Sequence, residues 1–162
     1  MHAVKASRRA AMLLAAALLT ACAAPPRAFD GEAVWSGRLA LRVDGAAPQS
    51  FGSAFDLRGG PEAGELRLTS PLGNTLATVV WNPAGAELRQ GSQVTRRGTL
   101  DDLTAELGGA PLPVAALFAW LRGQPASAAG WNADLSQHAD GRITARRDLP
   151  APSAELRVVF QP

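Results

Sequence analysis

Ser136, His138 and Asp140 combine a hydroxyl, an imidazole and a carboxylate, and they follow one another at intervals of two residues. In an extended segment this spacing would place a hydroxyl, an imidazole and a carboxylate on one face, as nucleophilic hydrolysis requires. However, the dipeptide Asp140-Gly141 is typical of a tight turn, which favours a solvated histidine beside a hairpin. A hydrolase would require His138 to line a pocket.

Motifs for other kinds of catalysis do not occur in the sequence. It contains no G-x-S-x-G, no H-E-x-x-H and no glycine-rich phosphate loop. Asp101 and Asp102 are better explained as negative charge at the start of a helix than as a catalytic carboxylate pair. The single cysteine, Cys22, can form neither an internal disulfide nor a cysteine-based metal site. We therefore predict no catalytic residue, no bound metal and no cofactor.

The first twenty-two residues have the pattern of a bacterial lipoprotein precursor. Lys5, Arg8 and Arg9 precede an apolar run over residues 10–19. As a helix this run would span roughly 15 Å, about half of a bilayer core, so it is typical of a signal peptide over residues 1–21. The run ends in LTAC, which resembles the lipobox read by the lipoprotein signal peptidase. The alternative is an ordinary secretory signal whose cleavage site adjoins a cysteine.

The lipobox predicts that Cys22 carries acyl chains and becomes the first residue of the mature protein. A single acyl chain binds a bilayer only marginally, whereas several chains make the attachment effectively permanent. Ala23 differs from the aspartate associated with retention in the inner membrane, which favours an outer-membrane location. Residues 22–31, with Pro25 and Pro26, are expected to form a short stiff tether.

Removal of the signal peptide changes the charge of the protein. The whole chain has sixteen basic and fourteen acidic residues, for a formal charge of +2. Residues 1–21 contain three of the basic residues and none of the acidic ones, so the mature chain has a charge of −1. The remaining arginines are interleaved with acids along predicted strands. This distribution indicates a solvated sheet face and argues against a nucleic-acid partner.

Alternating apolar and polar residues in the mature body predict β-strands. Leu39, Leu41 and Val43 would share one face of a strand, and Arg38 and Arg42 the other. Because similar stretches recur about every ten residues and no strand-helix-strand unit is repeated, the pattern predicts an antiparallel meander. Residues 75–81 are apolar on both faces, which suggests that this strand is covered on both sides.

Two short helices are predicted to interrupt the meander between residues 99 and 123. Thr99 and Asp102 have the spacing of a capping box at the start of the first helix. Pro111 and Pro113 are typical of the opening of a second helix, which Gly123 would end. These helices would pack on one face of the sheet or cover the mouth of a curved sheet.

Three segments, taken together behind the lipobox, carry a resemblance to a known family. They are WSGRLALR at residues 35–42, LRLTSPLG at residues 66–73, and the proline-flanked helix at residues 111–125. In this order they resemble the LolB family of outer-membrane lipoproteins, which receive other lipoproteins and insert them into the membrane. The resemblance runs from Cys22 to near the C-terminus. The chain departs from the family in its short length, its lack of tyrosine and the absence of a tryptophan near its end.

The resemblance implies a mainly β domain over residues 32–162: an open, strongly curved antiparallel sheet, or partial barrel. Two or three short helices would cover an apolar cavity. From the strand alternation and the apolar side of the second helix we expect the acyl-chain cavity to be lined by ten large apolar residues, although plain core packing is the alternative for each. These residues are Leu39, Leu41, Phe51, Phe55, Leu66, Leu68, Trp81, Leu117, Trp120 and Leu121.

Leu72 is predicted to lie at the tip of a loop. Ser70-Pro71-Leu72-Gly73 has proline at the second and glycine at the fourth position of a tight turn. The leucine would either fold back onto the sheet or project into solvent. In the LolB family a leucine in this loop projects outward and promotes transfer of cargo. The resemblance thus implies that Pro71, Leu72 and Gly73 form a membrane-insertion loop.

The function implied by the resemblance is that of a non-enzymatic receptor, held on the outer membrane by lipid and facing the periplasm. Its partners would be a LolA-like periplasmic carrier, acylated lipoprotein cargo and the membrane itself, and we expect a monomer. The alternative is a structural or assembly lipoprotein of the outer membrane that binds protein rather than lipid.

Overall fold

The computed structural model describes residues 35–108 and 112–161 of the chain. The predicted signal peptide, Cys22 and the predicted tether over residues 22–31 lie outside the described residues. So do residues 32–34 of the predicted domain.

Nine strands form one antiparallel sheet, in the order β6-β5-β4-β3-β2-β1-β9-β8-β7. Strands β1 to β6 are a consecutive meander, and the last strand, β9, pairs with β1 and joins the final three strands to it. Since β6 and β7 are edges, the sheet remains open, which confirms the predicted partial barrel. The strands are β1 (Trp35–Val43), β2 (Gln49–Gly59), β3 (Gly64–Thr69), β4 (Thr75–Asn82), β5 (Gly85–Gln90), β6 (Gln93–Arg97), β7 (Trp131–Asp134), β8 (Arg142–Arg147) and β9 (Ala154–Phe160).

Two helices, α1 (Leu100–Gly108) and α2 (Val114–Leu121), lie between β6 and β7 in the sequence. The helix cap predicted at Thr99 is present on α1, where the Asp102 amide donates to the Thr99 hydroxyl at 3.1 Å. That hydroxyl in turn donates to the Asp102 carboxylate at 2.7 Å. Gly123 follows α2 with φ of +72°, and its amide donates to the carbonyl of Trp120, as expected where a helix ends.

The side chains of alternate strand residues pack on one inner face, which the two helices cover. Leu41, Val43 and their counterparts on other strands form a single apolar cluster with the buried residues of α2. Arg38 and Arg42 on β1 are exposed on the outer face, as predicted. Edge-to-face contact between Trp81 on β4 and Phe118 on α2, with ring centroids 6.3 Å apart, ties a helix to the sheet.

Strand β4 is buried on both faces over residues 79–81, so the two-sided covering predicted for residues 75–81 is confirmed for part of the strand. Val79 and Trp81 are buried on the inner face, and Val80 is buried on the outer one. The register places Val80 between Glu65 on β3 and Glu87 on β5. Arginine side chains form ion pairs with both carboxylates, so an ionic layer rather than a second apolar layer surrounds Val80.

Candidate functional site

An apolar cavity of about 330 Å³ lies between the inner face of the sheet and the helices. This volume is near the lower end of the range of about 300–1,000 Å³ that is usual for ligand pockets. No charged side chain is among the described residues that line it. The lining residues are Leu41, Val43, Gln49, Ser50, Phe51, Leu66, Leu68, Leu76, Ala77, Val79, Trp81, Leu88, Gln90, Leu100, Thr104, Leu112 and Val114.

A smaller apolar space of about 40 Å³ shares six of these residues and extends towards β9 and α2. Its further walls include Leu39, Leu117 and Leu156. The two spaces bring together seven of the ten residues predicted to line a cavity. These seven are Leu39, Leu41, Phe51, Leu66, Leu68, Trp81 and Leu117.

The other three predicted residues lie in the packed core and not on the walls of either space. Phe55 is 1% exposed, and Trp120 and Leu121 are fully buried. The indole N–H of Trp120 donates to the carbonyl of Ala126 at 2.9 Å, which fixes the chain that follows α2. Strand alternation and the apolar side of a helix identify residues that face inward, but they do not separate a cavity wall from a filled core.

Trp81 forms a rigid part of the cavity wall. Its indole N–H donates to the carbonyl oxygens of Gly60 and Pro61, at 3.0 and 3.1 Å. The six-membered ring lies directly over Gly64, where any Cβ atom would overlap it. Because these contacts fix the ring, we expect this wall to keep its shape whether or not the cavity is occupied.

The cavity opens at the end of the sheet where β2 and β4 begin. Phe51 and Leu76 line it and are 40% and 38% exposed, respectively, which is high for large apolar side chains. Leu76 reaches this position because of a β-bulge. Leu68 pairs with Ala77 and Thr69 with Thr75, so Leu76 is the extra residue. Simple alternation would have placed Leu76 on the outer face with Val80.

Leu72 lies at the tip of the β3–β4 turn and is 89% exposed. The amide of Gly73 donates to the carbonyl of Ser70 at 2.9 Å, and Gly73 has φ of +83°. The amide of Ser70 donates to the carbonyl of Asn74 at 2.8 Å, and the Asn74 amide donates to the Ser70 hydroxyl at 3.2 Å. These bonds close the turn, and the leucine side chain projects into solvent instead of folding back onto the sheet.

The exposed leucine and the cavity mouth belong to the same end of the molecule. Leu68 and Leu76, which line the cavity, are close to the two ends of the turn in sequence. The turn that presents Leu72 therefore leaves the sheet at the end where the cavity opens. The polar residues that line the cavity near this end, Gln49, Ser50 and Gln90, are uncharged.

Thr104 is the buried polar residue on the cavity wall, and its hydroxyl is satisfied. It accepts a hydrogen bond from the Leu112 amide at 3.1 Å and donates to the carbonyl of Asp101 at 3.2 Å. The hydroxyl thus joins α1 to the chain that leads into α2. It offers little to a ligand, so the cavity is suited to hydrocarbon rather than to a hydrogen-bonding molecule.

His138 is half-buried and lines neither apolar space. Its Nε2 lies 3.0 Å from the carbonyl oxygen of Leu121, so this nitrogen carries the donated proton. The ring also stacks against Phe160, with centroids 5.3 Å apart. Ser136 and Asp140 are exposed on the surrounding turn, and the histidine ring bonds to neither of them. The structure thus gives this histidine a role in holding the end of α2.

Several residues of the cavity wall were not predicted from the sequence, although most of them face inward from a strand. Val43, Val79 and Leu88 face the cavity from β1, β4 and β5 and follow the same alternation as the predicted residues. They could have been found by continuing each alternating face along its whole strand. Leu112 and Val114 flank Pro113 at the start of α2, and nothing in the local pattern indicates that they reach a cavity.

Comparison with known proteins decides the family. The family model described as "Outer membrane lipoprotein LolB" matches residues 34–157, which include the whole cavity and the Leu72 turn. The chain belongs to the LolB family. Its relatives include the outer-membrane lipoprotein LolB of Chromobacterium violaceum, which is 35% identical over 74% of this chain and 69% of the relative. The LolB proteins of Cupriavidus necator and Cupriavidus taiwanensis are 30% and 37% identical, over 96% and 91% of this chain and 97% and 83% of their own lengths.

Membership of the LolB family gives the location and the general role. The protein is an outer-membrane lipoprotein, held to that membrane by lipid. Its family is one of lipoprotein localisation and not a known family of enzymes. Within the described residues, no helix has both the length and the apolar character needed to cross a bilayer.

Proposed function

We propose that this LolB-family protein is a receptor that takes acylated lipoproteins from a LolA-like periplasmic carrier and inserts them into the outer membrane. In this proposal, Cys22 carries the lipid anchor, residues 1–21 are the signal peptide and residues 22–31 are the tether. The observation that carries the proposal is the uncharged apolar cavity, which opens beside the projecting side chain of Leu72.

The cavity would bind the acyl chains of the cargo. Transfer of an acyl chain of about fourteen carbons from lipid into water is unfavourable by around 10 kcal/mol of free energy, at about 0.8 kcal/mol per CH₂. A protein that carries such a chain must supply a dry apolar surface of comparable quality. The walls formed by Leu66, Leu68 and Trp81 are of this kind. Hydrocarbon would then move from a weaker apolar pocket on the carrier to a stronger one here, without nucleotide.

The Leu72 turn, with Pro71 and Gly73, would act after capture. Its hydrogen bonds fix the backbone and leave the leucine side chain exposed next to the cavity mouth. A projecting leucine can enter the apolar part of the bilayer at low cost, whereas a polar side chain cannot. The turn would thereby bring the mouth of the loaded cavity against the membrane that receives the cargo.

A capture assay with two matched variants tests the proposal. Leu68→Asp places a charge on the cavity wall, and Val159→Asp places the same charge on an exposed apolar residue at the opposite end of the sheet. We expect the wild type and Val159→Asp to take an acylated lipoprotein from a complex with its carrier, and Leu68→Asp to lose at least tenfold in capture. Circular dichroism serves to show that both variants are folded.

Two results would contradict the proposal. One is that the wild type takes no cargo from the carrier, and the other is that the folded Leu68→Asp protein captures cargo as well as Val159→Asp does. Equal capture of an unacylated form of the same cargo would favour the alternative, a protein-binding assembly lipoprotein.

A further inference from the structure

The connection between β8 and β9 presents a second exposed leucine. Leu149 is 76% exposed, which among the large apolar side chains of the described residues is exceeded only by Leu72. It is flanked by Asp148 and Pro150 in a six-residue loop, residues 148–153. Sequence patterning did not single it out, because it belongs to no alternating strand.

Contacts at both ends hold this loop in place. On one side, the Leu149 carbonyl lies against Gly130, where a Cβ atom would overlap it and where φ is +85°. On the other side, the amide of Asp44 donates to the carbonyl of Ser153 at 2.9 Å. The loop backbone is therefore fixed against its neighbours while the leucine side chain is left in solvent.

Strand direction places Leu149 at the same end of the sheet as Leu72. Strand β2 separates β1 from β3, and β9 separates β1 from β8, with antiparallel pairing throughout. Strands β1, β3 and β8 consequently run in the same direction, and the turns that follow them leave the same end. The cavity mouth at Phe51 and Leu76 also lies there.

We propose that Leu149 is a second bilayer contact, so that two separate loops seat the cavity end of the protein on the membrane. This inference rests on the proposed function of the Leu72 turn. A second contact at Leu149 extends the membrane-facing surface from one loop to a region that spans β3 to β8. Two contacts would fix the orientation of the cavity mouth as well as its distance from the lipid.

The surface charges next to the loop favour lipid over a charged protein as the partner. Arg42 pairs with Asp44 at 3.0 Å, and Arg146 pairs with Glu155 at 2.9 Å. A docking site for a charged partner would instead present unbalanced charge of one sign. Asp148, next to Leu149 in the chain, acts electrostatically on Arg146, and Arg157 also pairs with Glu155. Because charges of both signs are interleaved around the loop, the exposed leucine offers an apolar contact to an apolar surface.

The length of chain before Trp35 allows this orientation. Thirteen residue steps separate Cys22 from Trp35, which can span at most about 45 Å at roughly 3.3–3.6 Å per residue. Strand β1 has nine residues, and at about 3.4 Å each it extends roughly 30 Å from Trp35 towards the cavity end. A chain anchored at Cys22 is therefore long enough to let that end face the bilayer.

Depth-dependent fluorescence quenching tests the inference on the mature, lipid-anchored protein in phosphatidylethanolamine and phosphatidylglycerol vesicles. A single cysteine is introduced as Leu149→Cys, Leu72→Cys or Val159→Cys and labelled with an environment-sensitive fluorophore. Val159, which is 51% exposed near the opposite end of β9, is the control. We expect lipids with brominated acyl chains to quench the probes at 149 and 72 several-fold more than the probe at 159.

The inference is overturned if the probe at 149 is quenched no more than the probe at 159. In that case, strong quenching of the probe at residue 72 would still support the Leu72 turn as the insertion loop. Weak quenching at residue 72 as well would contradict that role of the turn. A probe at 149 that responds to the periplasmic carrier and not to lipid would also overturn the inference, because it would assign Leu149 to protein docking.

Discussion

The surroundings of Leu72, and not its residue type alone, make it a candidate membrane contact. A single exposed leucine is common on protein surfaces and by itself indicates little. This one is presented by a hydrogen-bonded turn with a positive φ at Gly73, beside the mouth of an apolar cavity. The combination of a fixed backbone, an exposed side chain and a neighbouring cavity makes it the best candidate for a membrane contact.

We predict that Leu72→Glu separates insertion from capture. Since Leu72 is 89% exposed, the substitution should change the free energy of unfolding by no more than about 0.5 kcal/mol. Capture of acylated cargo should be unchanged, whereas insertion into vesicles should slow at least tenfold. A charged side chain costs about 2.5–3.5 kcal/mol at the centre of a bilayer, and a tenfold change corresponds to about 1.4 kcal/mol. Flotation of vesicles with their inserted cargo measures the rate, and Leu72→Met is the apolar control. Insertion by Leu72→Glu at the wild-type rate would show that this residue has no such role.

Residue-level prediction from sequence was strongest where local geometry decides the outcome. The Ser70–Gly73 turn could be predicted because proline and glycine at fixed positions restrict the backbone. The exposure of Leu72 could not, because it depends on whether the sheet offers a surface to fold onto. His138 was predicted to be a solvated residue beside a hairpin, and this was only partly right. Its ring bonds to the carbonyl of Leu121, seventeen residues away in the sequence, which no local pattern indicates.

At the scale of elements, the predicted strands and helices are largely confirmed. Two predicted features are the hydrogen bonds at Thr99 and the two-residue loop between β4 and β5. Both could be predicted because they depend on residues that are close together in the sequence. The bulge at Leu76 was not predictable, because it arises from the pairing of β3 with β4. Such a non-local feature nevertheless determines which apolar side chain reaches the cavity mouth.

The edge strand β6 is held to its neighbour by a buried carboxylate. Glu87 on β5 is 4% exposed and accepts a hydrogen bond from Nε of Arg96 on β6 at 2.7 Å. Burial alone would raise the pKa of Glu87, but hydrogen bonds and charge from Arg89 and Arg96 outweigh it and lower this pKa. Because the pKa is lower in the folded protein, the ionised carboxylate stabilises the fold at neutral pH.

We predict that Glu87→Gln lowers the free energy of unfolding at pH 7 by about 2 kcal/mol. The stabilisation by Glu87 is present above its unfolded-state pKa of about 4.3 and is lost as pH falls through the folded-state pKa. The variant should therefore lose less stability than the wild type between about pH 5 and 3. Urea unfolding across this range measures the effect, with the exposed Glu62→Gln as control. Parallel acid dependence in wild type and Glu87→Gln would exclude this role.

At the scale of the whole molecule, sequence alternation indicated which residues face inward but not how fully the interior is packed. Phe55, Trp120 and Leu121 fill the core, while Leu66, Leu68 and Trp81 border an open space. That division depends on how far α1 and α2 stand from the sheet, which no local pattern records. The pairing of β9 with β1, which joins the two groups of strands, also became evident only in three dimensions.

If this space holds the acyl chains of a lipoprotein cargo, a probe at its mouth must contact them. Site-specific photocrosslinking tests this with benzoylphenylalanine at Phe51 in the cavity mouth or at Val159 on the opposite end of the sheet. We expect the probe at residue 51 to crosslink to acylated cargo and not to the same cargo without acyl chains, and the probe at residue 159 to crosslink to neither. No crosslink at residue 51, or equal crosslinking to both forms of the cargo, would contradict it.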